Sequence, residues 1–123
     1  MTKDERLQVF DKFGGRCAYC GDVLAKGWHV DHIEPIVRDI TNPTECEFPE
    51  RDCIENYNPS CASCNRMKGS ACLEEFRRII GQFINSMNQY HTQYKFAKRY
   101  GLITETRNPV VFYFETIKPQ DHE

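Results

Sequence analysis

Two cysteine pairs, with an Asp-His step between them, carry most of the chemistry in this sequence. Cys17 and Cys20 are separated by two residues, Cys61 and Cys64 by two more, and forty residues lie between the pairs. Two residues between thiols let one turn present both sulfurs to a single ion. Two such turns complete a tetrahedral set of four thiolates, which suits zinc at Zn–S distances of about 2.3 Å. All four positions are then filled by sulfur, so this zinc is expected to be a structural staple with no open site for catalysis. One such pair alone would fit a redox dithiol. Two pairs, each beside a turn residue or a helix start, fit zinc better.

Between the pairs runs His29-Val30-Asp31-His32-Ile33-Glu34-Pro35, and the second pair leads directly into Asn65-Arg66-Met67-Lys68-Gly69. Asp31 is a hard oxygen ligand for a divalent cation such as Mg²⁺, and Asn65 offers a neutral carbonyl oxygen to the same ion. The ordinary pKa of histidine makes His32 a fitting general base near neutral pH. Arg66 and Lys68 supply positive charge for a phosphate beside that metal. Taken singly, each of these residues is ordinary surface polarity. Their placement changes this, because a staple joining the cysteine pairs would set the Asp-His segment against the helix that starts near Asn65.

The elements that must position these groups are legible in outline. Residues 2–13 read as a helix with Thr2 as its cap, Glu5 three residues on, and an apolar stripe of Leu7, Phe10 and Phe13. Gly14-Gly15 stops it. Residues 28–33 read as a strand ended by Pro35, residues 54–58 as a short return strand, and residues 38–53, with Pro43 and Pro49, as an irregular loop. A short helix is expected at or near Asn65. A longer one, capped by Ser70 with Glu74 and Glu75 in its first turn, should run through Met87 with Gly81 as its weak point. A further helix is expected over about 90–100, and residues 110–117 are the best strand candidate in the chain. The fold class is therefore α+β: a core over about 10–70, and a helical extension with a C-terminal strand over about 71–117, in one domain spanning 1–123.

The chain has 123 residues, a net charge of −2 and seven cysteines. A domain this short has a limited core, so a structural metal would help hold it together. The odd cysteine count and the acidic, polar start favour metal-bound thiolates in a reduced, cytoplasmic setting over a disulfide scaffold. No apolar run is long enough for a membrane span. Charge is unevenly spread: residues 1–60 carry 7 Lys/Arg against 12 Asp/Glu, and residues 61–107 carry 8 against 3. Arg77, Arg78, Lys95, Lys98, Arg99 and Arg107 are candidates for a duplex-facing surface. Tyr90, Tyr94 and Tyr100 interleave with them and are read mainly as core. Cys46, Cys53 and Cys72 receive no role, although Cys46 and Cys53 share a loop and are able to pair or to swap into the metal site. His91 and His122 have no motif context.

These blocks together resemble the HNH endonucleases of the ββα-metal nuclease superfamily. The resemblance rests on Cys17-Ala18-Tyr19-Cys20, on Val30-Asp31-His32-Ile33-Glu34-Pro35, on Glu55-Asn56-Tyr57, and on Cys61-Ala62-Ser63-Cys64-Asn65-Arg66-Met67-Lys68-Gly69. It implies a zinc-stapled ββα core. It further implies that His32 activates water, that Asn56 braces the loop and orients the base, and that Asp31 and Asn65 hold a catalytic Mg²⁺ or Mn²⁺. DNA is the implied partner, with 5′-phosphate and 3′-hydroxyl products. One active site implies nicking, or cutting of both strands as a homodimer. The loop over 38–53 is longer than a minimal module of this family. No second histidine stands near Asn65, so the metal would keep several waters. His29 and Glu34 lie near the site without an assignment. Two other readings compete: a non-catalytic zinc-stapled nucleic-acid-binding module, and a zinc-ribbon protein-interaction domain. The first needs neither Asp31 nor His32. The second has no use for Asn65-Arg66-Met67-Lys68.

Overall fold

The structure is a computed structural model that describes residues 1–42 and 44–118, so Pro43 and His122 lie outside the described residues. Helix α1 (Lys3–Asp11) is capped by Thr2, whose hydroxyl accepts the Glu5 N–H at 3.1 Å and donates to the Glu5 carboxylate at 3.2 Å. Val9 within the helix and Phe13 just past its end are buried. Leu7, expected on that stripe, is 58 % exposed. It lies about 200° round the helix from Val9, on the side away from the core.

Strands β1 (His29–His32) and β2 (Tyr57–Ser60) pair antiparallel, with His29 opposite Ser60, Asp31 opposite Asn58 and His32 opposite Tyr57. The return strand begins later than expected because residues 54–56 first close a 3-10 turn. The long connection between the strands holds a second such turn at Pro49–Arg51 and a bridge between Arg38 and Cys46. Helix α2 (Ala62–Lys68) follows β2 after a single residue and packs on β1, which completes a ββα unit. Helix α1 packs on β2.

Three helices follow: α3 (Leu73–Gly81), α4 (Phe83–Tyr90) and α5 (Thr92–Arg99). The single long helix expected from Ser70 is thus two. Cys72 stands at its start, and the chain bends at Gln82 directly after Gly81, the weakest helix former in the stretch. The Gln82 N–H is shared between the Arg78 and Ile79 carbonyls, which tightens the final turn of α3.

The expected strand over 110–117 is not formed. Residues 110–112 belong to no strand, and Tyr113–Thr116 form a helical turn, α6. The Glu115 carboxylate turns back to accept the Phe112 N–H at 2.8 Å, and Arg77 grips the same carboxylate at 2.6 Å. These side-chain bonds start the helical turn, while the β-forming residues serve the core instead. Phe112 is 2 % exposed and stacks on Phe76 with ring centroids 5.1 Å apart. The Tyr19 ring meets both of them edge-on. Phe13, Cys17, Ala18 and Leu24 complete this core, which sits directly beneath the first cysteine pair. No helix among the described residues is long and apolar enough to cross a membrane.

Candidate active site and metal centre

The Cys17–Cys20 turn is built by backbone bonds. The Cys17 N–H donates to the Asp22 carbonyl, and the Gly21 N–H returns to the Cys17 carbonyl. Gly21 takes φ +80°, and a Cβ there would stand 3.2 Å from the Tyr113 ring. The turn therefore requires glycine on both conformational and steric grounds. The Ala18 N–H reaches the Pro59 carbonyl at 2.8 Å, which ties the turn to β2. On the other side, Cys61 caps α2, its sulfur accepting the Cys64 N–H at 3.3 Å.

The four sulfurs of Cys17, Cys20, Cys61 and Cys64 all lie within 4.8 Å of one another. Cys20 and Cys61 stand 3.9 Å apart, close to the ~3.8 Å edge of a tetrahedron with 2.3 Å metal–sulfur bonds. The donor set fits a cation on electrostatic grounds as well. A hydrogen bond from Cys64 lowers the Cys17 thiol to about 4. Burial, with the charge of Cys17, pushes Cys20 up to about 12. Cys64 is driven upward by its bond to Cys17 and by burial. Each charged sulfur disfavours ionisation of its neighbours, a penalty that a bound cation would offset. The four cysteines are arranged to bind a metal. All seven cysteines are free thiols, and Cys46 and Cys53 neither pair nor join the cluster.

Asp31, His32 and Asn65 line one cleft of about 290 Å³, together with Val30, Arg38 and residues of the following loop. Asp31 is buried at 5 % exposure. Its Oδ2 accepts the Tyr19 hydroxyl at 2.5 Å and pairs with Lys68 Nζ at 3.1 Å. Burial and the neighbouring Asp31 charge push the Tyr19 hydroxyl far up, so it stays protonated and donating. Lys68, expected to face phosphate beside Arg66, is instead 2 % exposed. Its ammonium also donates to the His32 carbonyl at 2.8 Å. Placed at the end of α2 against β1, this side chain points into the protein. It ties the helix to the Asp-His strand and is not presented to a strand in solution. Arg66, two residues earlier, is exposed on α2.

The Asn56 side chain holds two separate stretches of backbone. Its Oδ1 accepts the Glu34 N–H at 3.0 Å, and its Nδ2 donates to the Glu34 carbonyl at 2.9 Å and the Arg51 carbonyl at 2.8 Å. The Ile33 N–H reaches the Asn56 carbonyl at 2.9 Å. The chain leaving β1 is thereby locked to the chain entering β2. Asn56 touches backbone on both sides of the loop rather than the imidazole of His32.

His32 has partners that the sequence did not announce. Asp52 Oδ1 lies 2.9 Å from His32 Nε2 and also accepts the Tyr57 hydroxyl at 2.6 Å. These two bonds hold the Asp52 carboxyl below the usual range, Tyr57 being the larger cause. Burial and Asp52 raise Tyr57 to about 12. Asp52 comes from the irregular loop, where no spacing marks it. Tyr19 lies between Cys17 and Cys20, and that place was the signal available for it. His29 and Glu34 are both exposed, and Glu34 meets Asn56 only through its backbone.

Most of the basic residues beyond residue 70 are engaged within the molecule. Arg77 binds Glu74, Glu115 and the Val110 carbonyl. Arg78 pairs with Glu75, Lys98 with Glu105, and Arg107 reaches Asn85. Arg99 stacks on Phe96, 4.7 Å from the ring centroid. Tyr94 is half-buried and bonded to Glu105, but Tyr90 and Tyr100, read as core, are 72 % and 74 % exposed. The α4–α5 pair is too thin to bury them.

Comparison with known families places these elements. Residues 17–71 match the family model described as HNH endonuclease. No curated protein and no solved structure matches the chain. The match begins at the first cysteine of the metal cluster and ends just past α2, so it covers both cysteine pairs, both strands and the helix between which the cleft lies. The segment from residue 17 to residue 71 therefore resembles an HNH endonuclease domain, and it carries four cysteines arranged to bind a metal.

Proposed function

We propose that this protein is a metal-dependent endonuclease that hydrolyses DNA phosphodiester bonds, with His32 as general base. The observation that carries the reading is the convergence of Asp31, His32 and Asn65 on one open cleft, held between β1 and α2. Zinc is the ion we assign to the four cysteines, because an all-thiolate tetrahedral set suits it and leaves no open position. Its task is to join the turn after α1 to the start of α2.

A second ion, Mg²⁺ or Mn²⁺, is assigned to Asp31 and Asn65. Two oxygen donors suit a hard cation that retains much of its water. Both contacts that Asp31 makes fall on Oδ2, so Oδ1 is the oxygen assigned to the ion. When bound, such an ion neutralises charge on the phosphate and on the departing oxygen. His32 takes a proton from water as the water oxygen bonds to phosphorus. The bond from phosphorus to the 3′ oxygen breaks, and the departing oxygen takes a proton from solvent, which leaves a 5′-phosphate and a 3′-hydroxyl. Arg66, exposed beside Asn65, is assigned to orient the phosphate. Asn56 is assigned to bracing the loop so that His32 keeps its place.

One observation favours the rival reading, a non-catalytic nucleic-acid-binding module. Asp31 already has a structural partner in Lys68, so its presence does not by itself require catalysis. Supercoiled plasmid incubated with wild type and His32→Ala, in Mg²⁺, Mn²⁺ or EDTA, separates the two. Metal-dependent nicking or linearisation is expected from wild type and a loss of at least about 100-fold from the variant. DNA retardation without cleavage by either protein would favour the binding module.

A further inference from the structure

The connection between the strands is long, and its final residues deliver a carboxylate to His32. Two independent anchors set that carboxylate. Across the sheet, the register puts Tyr57 directly opposite His32, with their rings edge-on at 5.3 Å. The Tyr57 hydroxyl then donates to Asp52 Oδ1, the same oxygen that meets His32 Nε2. Along the chain, the Asp52 N–H closes on the Pro49 carbonyl at 3.1 Å, and the preceding carbonyl, of Arg51, is held by Asn56. The Asp52 side chain is 56 % exposed. Solvent would satisfy this carboxylate without His32, and the two anchors hold it beside the ring.

We propose that Asp52, held by Tyr57, is the positioning residue that fixes the His32 ring for proton abstraction. Asp52 accepts the Nε2 proton, which leaves the lone pair on Nδ1 to take the proton of water. The carboxylate then steadies the imidazolium that forms, in the way a buried acid orients histidine in other hydrolases. Asn56 contributes one step removed: by clamping Glu34 and Arg51 together it sets the distance between the end of β1 and Asp52. The inference rests on the assignment of His32 as the base.

The test compares wild type, His32→Ala, Asp52→Asn and Tyr57→Phe by plasmid cleavage, and reads the His32 ring nitrogens by NMR without DNA or added Mg²⁺. Asp52→Asn should lower kcat about 10- to 100-fold with KM unchanged. It should also shift the ring from a single Nε2–H form to a mixture of tautomers. Tyr57→Phe should show a smaller loss of the same kind. Equal kcat for wild type and Asp52→Asn, with His32→Ala inactive, would overturn the positioning role and leave the nuclease reading intact. Failure of wild type to cut with any metal would instead sink the reading on which the role depends. An Nδ1–H ring in wild type would overturn the proposed geometry whatever the activity. Because the Asp52 side chain is largely exposed, its variant should fold, and an unchanged melting temperature checks this.

Discussion

Lys68 reaches Asp31 and the His32 carbonyl from the last turn of α2 while almost wholly buried. From the sequence its charge reads as phosphate-facing, because a lysine one turn beyond Asn65 has no visible partner within its own segment. Its partners lie 36 and 37 positions earlier, across the packing of α2 on β1, and no local pattern reveals such a contact. The same holds for Asp52, whose partner is set by sheet register. Cysteine spacing, in contrast, is a local property, and the clustering of the four cysteines was legible from it. The buried ion pair predicts a large penalty for removing one member. Lys68→Met should leave Asp31 buried and uncompensated, and cost roughly 3–5 kcal/mol of stability. Urea unfolding measures this; a change below about 1 kcal/mol would mean that the ammonium contributes little to holding α2 against β1.

At the scale of elements, α2 depends on the cluster for its start and on Lys68 for its docking. Seven residues are too few to be stable as an isolated helix. Metal removal should therefore loosen α2 first. Cys61→Ser, which also alters the cap, should release the metal and broaden or abolish cooperative melting. Colorimetric zinc release with parallel circular dichroism tests this, and an unchanged melting curve in a metal-free variant would contradict the staple. The α4–α5 pair is held differently, by a polar knot. Glu105 accepts from Asn88, Tyr94 and Lys98, and these bonds lower its carboxyl to about 2. A depressed folded-state value means that the stabilisation is present above the ordinary value of 4.5 and lost as pH falls towards about 2. Amide exchange in α5 should accelerate across that window, while Glu105→Gln should show no such step. Helical periodicity announced one helix through Met87 and another over about 90–100; the break at Gln82 answers to Gly81 just before it, whereas the turn at Tyr113–Thr116 answers to tertiary partners, Phe76 and Arg77 above all.

For the whole molecule, the elements of the core were legible as ordered local signals (a turn with two cysteines, a run of β-forming residues, a second cysteine turn and a helix), and the resemblance supplied their ββα arrangement. The fate of residues 110–117 was not legible, because their β-forming run is used for burial rather than for pairing. Phe112 and Phe114 lie on the core beneath the Cys17–Cys20 turn, and the Tyr113 and Phe114 N–H groups donate to the Tyr19 and Ala18 carbonyls at 3.0 and 2.8 Å. This clasp joins the last described part of the chain to the first half of the metal cluster, which has a consequence for the order of events during synthesis. All four sulfurs have left the ribosome well before Phe112 does, so the nascent domain can hold its ion while Tyr19 and Phe76 still face water. Until the clasp arrives, that ion-bound intermediate should expose a sticky aromatic face and be a target for chaperones. A protein ending at residue 109 should thus retain stoichiometric zinc yet bind a hydrophobic dye strongly, and weak dye binding would show that the core closes without its final segment.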